Sequence, residues 1–451
     1  MRILVVGCGN VGSSLVERLC AEGHNVVVID QKSERLKEIT ERYDVMGVQG
    51  NGASYAVQME AGIEETDLLI AVTNEDELNL FCCLIAKKAG GCHTIARVRN
   101  PVYSQEINFI KDELGLSMII NPEQATAAAI ARLLKFPSAI EVDTFSKGRV
   151  ELSRFRLPEN CVLDGCQLRD ISGRLHCDVL VCIVERGDQV CIPDGNFRLQ
   201  AKDKVSVVAS QENIVRFYKQ MGLATNQVRN AMIVGGGSTT FYLAKQLLAM
   251  GIQIKIIERD EKRCEELCEI LPQATILHGD GTDRNVLLEE GVANMQAFVS
   301  MTGLDEENIM LSLFVKTVSK AKLVTRIHRV NYDDLIDTLD VGSVIYPRFT
   351  TAETIVRYVR AMSNSQGSNM ETLYQLFGNK AEALEFRIRE HSPVVGIPLQ
   401  ELSLKPNLLI GCINHNGKIT IPGGQSRIHV GDTVIVVTTN PGLHDIKDIV
   451  R

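Results

Sequence analysis

The sequence predicts an α/β chain built as an A-B-A′-B′ duplication: two Rossmann-like doubly wound parallel-sheet domains, each followed by a small β-rich α+β domain. Three observations predict it. Short apolar, β-branched runs alternate with helical stretches from the first residues onward. The first run leads straight into Gly7-Cys8-Gly9-Asn10-Val11-Gly12, and the second closes on Asp30. The whole pattern then returns about 228 residues later.

Taken in order, residues 2–6 read as a buried strand, followed by the glycine-rich turn and a helix to about Glu22. A strand at 25–29, a helix at 31–42 and a strand at 44–49 come next, then Gly50-Asn51-Gly52. After a short helix, a strand at 68–72 ends on Thr73-Asn74, and a long helix spans 75–89. A strand at 94–97, a helix ending near Leu114, a strand at 118–120 and a helix from Asn121-Pro122 to about Lys135 complete the unit.

The second half places Gly235 and Gly237 where Gly7 and Gly9 stand, and Glu258 where Asp30 stands. Residues 278–282, with Asp280 and Gly281, echo 49–53, and 305–309 echo 76–80. Thr302 answers Thr73, and Arg326 and Tyr332 answer Arg97 and Tyr103. The segments near 140–222 and 378–451 repeat too, 191–209 answering 420–438. They lack helical periodicity, and alternation such as Leu384, Phe386, Ile388 against Glu385, Arg387, Arg389 marks half-buried strands. The expected domains are 1–137, 138–224, 228–362 and 370–451, with 361–369 as a linker and 228–230 as a tighter junction.

The order strand, G-x-G-x-x-G, helix, strand, acid is that of a dinucleotide-binding βαβ unit. Gly7 permits the tight turn, Gly9 lets a pyrophosphate approach the backbone, and Gly12 lets the helix lie close on the strand. The free N–H groups at the helix start, where the dipole is positive, then face the phosphate. Asp30 would accept from ribose hydroxyls and repel a 2′-phosphate, which favours NAD(H) over NADP(H). Asn51-Gly52 would border the adenine, and Thr73-Asn74 the far side of the crevice at the carboxyl ends of the strands. Arg97 and Arg99 alternate and should share a face, either toward phosphate or in an ordinary ion pair. In the second half Thr240 replaces the third glycine, with Ser238-Thr239 in place of Asn10-Val11. A β-branched residue there should hold the helix away or narrow the pocket.

Other features read as structure. Asp76, Glu77 and Asn79 open a helix, where carboxylates suit the dipole, and residues 305–308 are similar. Thirteen cysteines, odd in number and without a C-x-x-C pair, read as buried free thiols, and the nine histidines are scattered, so no metal-ligand set is expected. A net charge of −8 argues against nucleic acid or an anionic membrane as a direct partner. No apolar run approaches the roughly 18 residues of a transmembrane span. A cytoplasmic protein without lipid insertion is expected.

The glycine turn with Asp30, the G-[DN]-G and D-E-x-N signatures in both halves, and the I-P-x-G…D-x-V pattern of the small segments are carried by almost the whole chain. In these it resembles the TrkA family of potassium-uptake regulators, in which a KTN (also called RCK) nucleotide-binding domain precedes a TrkA-C domain. The resemblance implies a non-enzymatic regulatory subunit, peripheral on the inner face of the cell membrane. Its partner would be a Trk-type potassium channel, beneath which a dimer or tetramer forms a gating ring. It also implies NAD+ or NADH as ligand, with ATP and ADP as alternatives. Family members that prefer ATP carry an arginine where Asn10 stands, so Asn10 leans the site toward NAD(H). Two rival classes stay open: an NAD-dependent oxidoreductase, and a structural ring subunit with relic sites. No catalytic constellation is apparent for the first.

Overall fold

The structure is a computed structural model of the chain. It describes residues 1–451 apart from 101–102, 104–105, 160, 176, 188, 224–226, 329–335, 337–338, 365–368, 377–379, 390–391, 441 and 444. Tyr332 and the middle of the expected linker lie outside the described residues. The chain divides into two compact bodies, residues 1–131 with 229–356, and 132–228 with 357–451.

The first body holds both doubly wound sheets. In the first repeat β1 (Arg2–Val6), α1 (Asn10–Ala21), β2 (Asn25–Asp30), α2 (Ser33–Arg42), β3 (Met46–Gln49) and α3 (Tyr55–Glu60) are followed by β4 (Leu68–Ala71) and α4 (Asp76–Ala89). β5 (His93–Arg97), α5 (Ile107–Glu113), β6 (Met118–Ile120) and α6 (Pro122–Lys135) end it. The strand order is β3-β2-β1-β4-β5-β6, with every pair parallel. β1 and β4 lie at the centre with both faces covered, so Ile3, Leu4, Val5, Leu68, Leu69 and Ile70 are fully buried. The order reverses direction between β1 and β4, which opens a crevice at their carboxyl ends.

The second repeat reproduces this. β12 (Asn230–Val234), α9 (Ser238–Ala249), β13 (Gln253–Glu258), α10 (Glu261–Ile270), β14 (Thr275–His278), α11 (Arg284–Glu289), β15 (Ala297–Ser300), α12 (Asp305–Val318), β16 (Lys322–Arg326), β17 (Ser343–Ile345) and α13 (Pro347–Asn364) build a sheet of order β14-β13-β12-β15-β16-β17. The two repeats pack together within this body. Asn121 Nδ2 donates to Tyr242 Oη at 2.9 Å, Tyr242 Oη donates to the Arg99 carbonyl at 3.2 Å, and the Arg18 guanidinium lies 5.5 Å from the Phe349 ring centre.

The second body holds two antiparallel sheets. β7 (Glu141–Phe145), β8 (Val150–Arg156), β9 (Leu180–Arg186), β10 (Gln189–Cys191) and β11 (Lys204–Ser210) form one, in the order β10-β9-β11-β8-β7. β18 (Met370–Leu376), β19 (Ala381–Arg387), β20 (Leu408–His415), β21 (Lys418–Thr420) and β22 (Thr433–Thr438) form the other, in the equivalent order. The sheets share a core in which Phe145, Leu152 and Ile183 of the first meet Tyr374, Ala383 and Ile435 of the second. Glu385 Oε1 accepts from the Ser146 N–H at 2.7 Å and its Oγ at 2.8 Å.

Two expectations need correction. The first small domain is not devoid of helical periodicity: α7 (Ile171–Leu175) is a short turn, and α8 (Gln211–Gln220) is a capped amphipathic helix. Ser210 accepts from Asn213 N, and Ile214, Phe217 and Tyr218 at helical spacing are all fully buried. The linker expected at 361–369 starts late, because α13 carries on to Asn364.

Candidate functional site

The glycine-rich turn has the geometry its residue types require. Gly7 sits at φ +100° with Thr73 N only 3.0 Å from where a Cβ would stand, so the position excludes other residues. Gly12 is packed against the Gly7 carbonyl, which would lie 1.9 Å from an added Cβ. Gly9 differs from both: it caps α1 at φ −75°, and a Cβ added there would meet nothing within 4 Å. No side chain caps α1, which leaves its first N–H groups directed into the crevice.

Asp30, 8% exposed, braces this turn. Its Oδ2 accepts the Cys8 N–H at 2.7 Å and its Oδ1 the Lys32 N–H at 2.8 Å, and Arg35 stands 4.0 Å away. Each oxygen keeps a second lone pair for a ribose hydroxyl. Glu258 repeats the arrangement, accepting from Gly236 N at 2.6 Å and Asp260 N at 2.8 Å. Burial, helped by the Asp30 carboxylate, pushes the Cys8 thiol up to about 12, so this cysteine is inert wall.

A cleft of about 390 Å³ opens beside the turn, within the range of small-molecule sites. Of the sequence-derived residues, Cys8, Gly9, Asn10, Val11, Asn74 and Arg97 line it. The opposite wall comes from the second repeat, where Thr239, Arg326, His328 and Arg348 face the first repeat's turn. Arg35, Arg97, Arg326 and Arg348 set four positive charges there against the carboxylates of Glu38 and Glu123. Arg97 and Arg326 are repeat counterparts, and each donates to the loop after the fourth strand of its sheet: Arg97 to the Thr73 carbonyl at 3.3 Å, Arg326 to the Met301 and Thr302 carbonyls at 2.9 and 2.7 Å. Burial draws both guanidiniums below their usual range, and their Nε atoms are buried without a hydrogen-bond partner. Burial raises Glu123 above the ordinary carboxylate value while Arg97 pulls it back, and one of its oxygens also lacks a partner.

The remaining candidates are held elsewhere. Arg99 does not line the cleft; its Nε lies 3.6 Å from Asp76 and it donates to the Asn74 carbonyl. Thr73 is fixed by Asn79, whose Oδ1 accepts from its N–H at 2.8 Å and its hydroxyl at 2.7 Å. Asn308 fixes Thr302 N in the same way at 2.8 Å. Gly52 and Gly281 are packing glycines, since a Cβ would lie 2.2 Å from Val6 and 2.3 Å from Val234. Asn51 turns its Oδ1 onto Ala53 N, and Asp280 turns its own onto the N–H and hydroxyl of Thr282. Gly235, at φ +103°, and Gly237, open to 4 Å, reproduce Gly7 and Gly9. Thr240 is buried, with its hydroxyl on the Gly235 carbonyl. Arg35 and Arg263 diverge: Arg35 lines the cleft, whereas Arg263 donates to the Gly236 carbonyl at 2.8 Å.

The sequence pairs Arg326 with Arg97 and sets His328 near a strand end where it could face a crevice, with an exposed or satisfied histidine as the default; it does not show that these residues converge, or that Arg348 and Glu123 join them as walls of one cleft. The duplication was the signal available, for it demanded a mate for the Arg97 environment in the other half. The structure also brings together His415, His429 and Asp432 on the second small domain, which linear spacing had left scattered.

A dinucleotide fits the donor set of the cleft. An open second glycine, an uncapped helix start and the arginine charges lining the cleft all suit two phosphates, and Asp30 keeps capacity for a ribose.

Fold and site together define a tandem Rossmann-fold chain with an antiparallel module after each half. The TrkA-N domain family model matches residues 3–122 and 231–347, and the TrkA-C domain model residues 152–222 and 383–451. The chain is 31% identical to Trk system potassium uptake protein TrkA homolog 1 of Methanosarcina mazei, over 99% of both chains. It is 32% identical to the TrkA homolog of Archaeoglobus fulgidus over the full length of both. With TrkA of Haemophilus influenzae it shares 29%, over 97% of this chain and 95% of that one. Among solved structures the GsuK RCK domain superposes with a TM-score of 0.62 at 16% identity, covering 97% of this chain and 92% of that one. The GsuK channel bound to NAD gives the same score, covering 77% of the channel chain. The chain belongs to the TrkA family of Trk system potassium uptake proteins.

Proposed function

We propose that this chain is the nucleotide-sensing regulatory subunit of a Trk-type potassium uptake system, with NAD+ or NADH held in the cleft of the first repeat. One observation carries the reading: the phosphate-suited turn of the first repeat faces Arg326 and Arg348 of the second. A ligand bound there touches both repeats and so favours the arrangement in which both sets of contacts are made. It shifts the equilibrium only by its differential affinity for the two arrangements. A hundredfold preference supplies about 2.7 kcal/mol per site, and several sites in an oligomeric ring add up to a switch. Gly7, Cys8, Gly9, Asn10, Val11 and Gly12 cradle the pyrophosphate, Asp30 holds the adenosine ribose, and Arg97 and Arg326 neutralise phosphate charge. The chain acts from the cytoplasmic face through its membrane partner. ATP and ADP compete for the same turn. Support for the potassium role comes from the relatives' names, and for NAD from the donor set of the cleft.

Calorimetric titration of the full chain with NADH, NAD+, ATP and ADP, with Arg326→Gln beside wild type, tests the site. Binding by wild type that weakens in Arg326→Gln supports a ligand spanning both repeats. Undiminished binding in the variant, or none by wild type, overturns it. Channel current in proteoliposomes carrying the partner and this chain tests the switch, which fails if nucleotide leaves the current unchanged.

A further inference from the structure

The strongest group outside the cleft lies on the second small domain, where the end of β20 and the loop before β22 converge. Asp432 is fully buried there. Its Oδ1 is 2.5 Å from His415 Nδ1 and its Oδ2 3.7 Å from His429 Nδ1, while Oδ2 also accepts the His429 backbone N–H at 2.8 Å. Both imidazoles are more than half exposed, and their ring centres are 5.6 Å apart. One donor atom from each of the three residues lies within 4.8 Å of the others.

The duplication supplies an internal comparison. Arg186 pairs with Gln189 across the β9–β10 hairpin as His415 pairs with Lys418 across β20–β21, so Arg186 and His415 are equivalent. Asp203, 2% exposed, is then the equivalent of Asp432, and Gln200 of His429. In the first module Arg186 clamps the aspartate with Nε and Nη2, both at 2.8 Å, and Gln200 N donates to it at 2.9 Å. The buried carboxylate and its backbone donor are therefore kept in both modules, and only the cation differs. An arginine is always charged, whereas an imidazole presents a lone pair whenever it is neutral. A fully buried carboxylate needs a positive partner close by. The second module exchanges a fixed guanidinium for two nitrogen ligands around one carboxylate.

We propose that His415, His429 and Asp432 bind a divalent transition-metal ion, zinc being the ion whose chemistry fits best, which takes the place that Arg186 fills in the first module. Two imidazoles and one carboxylate are a standard three-ligand set for zinc, with the fourth position left to water on the exposed side. Bound metal pins the β20–β21 hairpin to the loop before β22 and so stabilises this module. The site is separate from the nucleotide cleft and does not depend on it.

The test uses chelator-stripped full-length protein in a Cys268→Ser background, because Cys268 is the exposed thiol among the described residues. Zinc is titrated against a chromophoric chelator, and cobalt(II) absorption reports the ligand type. Wild type should bind one zinc and give cobalt d–d bands without a thiolate charge-transfer band. His429→Ala should weaken binding by more than the roughly 10–100-fold that loss of an outer-shell partner costs. His415→Arg, which rebuilds the first module's ion pair, should abolish binding while preserving the fold, and zinc should then no longer raise its melting temperature. No zinc binding by wild type overturns the proposal, as do unchanged binding in both variants or a cobalt spectrum dominated by thiolate.

Discussion

The carbonyl oxygen of Gly7 lies 1.9 Å from the place where a Cβ on Gly12 would stand, while in the second repeat Thr240 occupies that position and hydrogen-bonds the Gly235 carbonyl. α1 and α9 begin and end at equivalent residues, so the helices correspond turn for turn. A real Cβ cannot sit 1.9 Å from an oxygen, so α9 stands farther from its turn than α1 does. Gly12→Ala forces that displacement on the first repeat, and overpacking of this kind costs about 1–3 kcal/mol. Denaturant unfolding measures it, and nucleotide affinity should fall in parallel. Thr240→Ala removes one hydroxyl bond and one buried methyl and should cost about 2 kcal/mol.

Gly9 gives the cleaner probe of binding. Its backbone conformation suits alanine, and the added methyl meets no protein atom within 4 Å. Gly9→Ala should leave the unfolding midpoint unchanged and weaken dinucleotide binding at least tenfold, because the methyl takes the space through which the pyrophosphate approaches. Equal affinity in the variant would show that the ligand does not use this turn. Gly237→Ala, equally open, reports on the second turn by the same titration.

Asn79 and Asn308 hold the two halves of the cleft in register. Asn79 is fully buried, accepts from Thr73, and donates to the Thr73 and Arg97 carbonyls at 3.2 and 2.9 Å. Asn308 does the same for Thr302 and Arg326 at 3.2 and 3.0 Å. Replacing either by alanine strands buried backbone groups and should cost about 2–3 kcal/mol. Each arginine would also lose its placement. Lower thermal stability with weakened binding is expected from both variants, and Asn79→Asp, which turns a carboxylate oxygen onto the Thr73 and Arg97 carbonyls in a fully buried site, should cost more than alanine.

The alternation of strands and helices, the order of the glycine turn and its acid, and the duplication were all legible, because each follows from local periodicity or repeated spelling. Linear spacing shows the D-E-x-N signature only as a helix start that suits the dipole. What it does lies in three dimensions: Asp76 accepts from the N–H groups of Arg99 and Asn100 at 2.8 Å each, and Asn79 ties two strand ends together. The helix α8 is legible as well, since Ile214, Phe217 and Tyr218 carry the helical spacing behind a serine cap. The far wall of the cleft was not legible. Arg326, His328 and Arg348 reach it only because the two repeats pack face to face, and no property of one repeat's sequence states which residues the other will present. His415, His429 and Asp432 were hidden for a related reason, because a hairpin and a loop bring together residues that no linear motif joins.

The cleft should bind its ligand more tightly as pH falls. His328 is held below the ordinary imidazole value of 6.5 by burial and by Arg326, against the opposing pull of Asp305, with which it shares a 3.1 Å contact. The unfolded chain therefore binds the proton more readily than the folded one, and this histidine's contribution to stability is complete above 6.5 and is lost as pH falls below it through the lower folded value. A phosphate in the cleft reverses the local balance by favouring the imidazolium, so binding takes up a proton. Glu123 works in the same direction: burial already raises it above 4.5, and protonation removes a negative charge from the phosphate's surroundings. Affinity for NADH, measured by calorimetry in buffers of different ionisation enthalpy, should increase from pH 8 to pH 6 with net proton uptake. His328→Gln should flatten that slope. Glu123→Gln should tighten binding at neutral pH by several-fold, the ~1 kcal/mol expected from deleting one like charge a few ångströms from a phosphate in a partly hydrated cleft. A slope unchanged in His328→Gln would place proton uptake elsewhere, and an affinity unchanged in Glu123→Gln would remove that carboxylate from the ligand's surroundings.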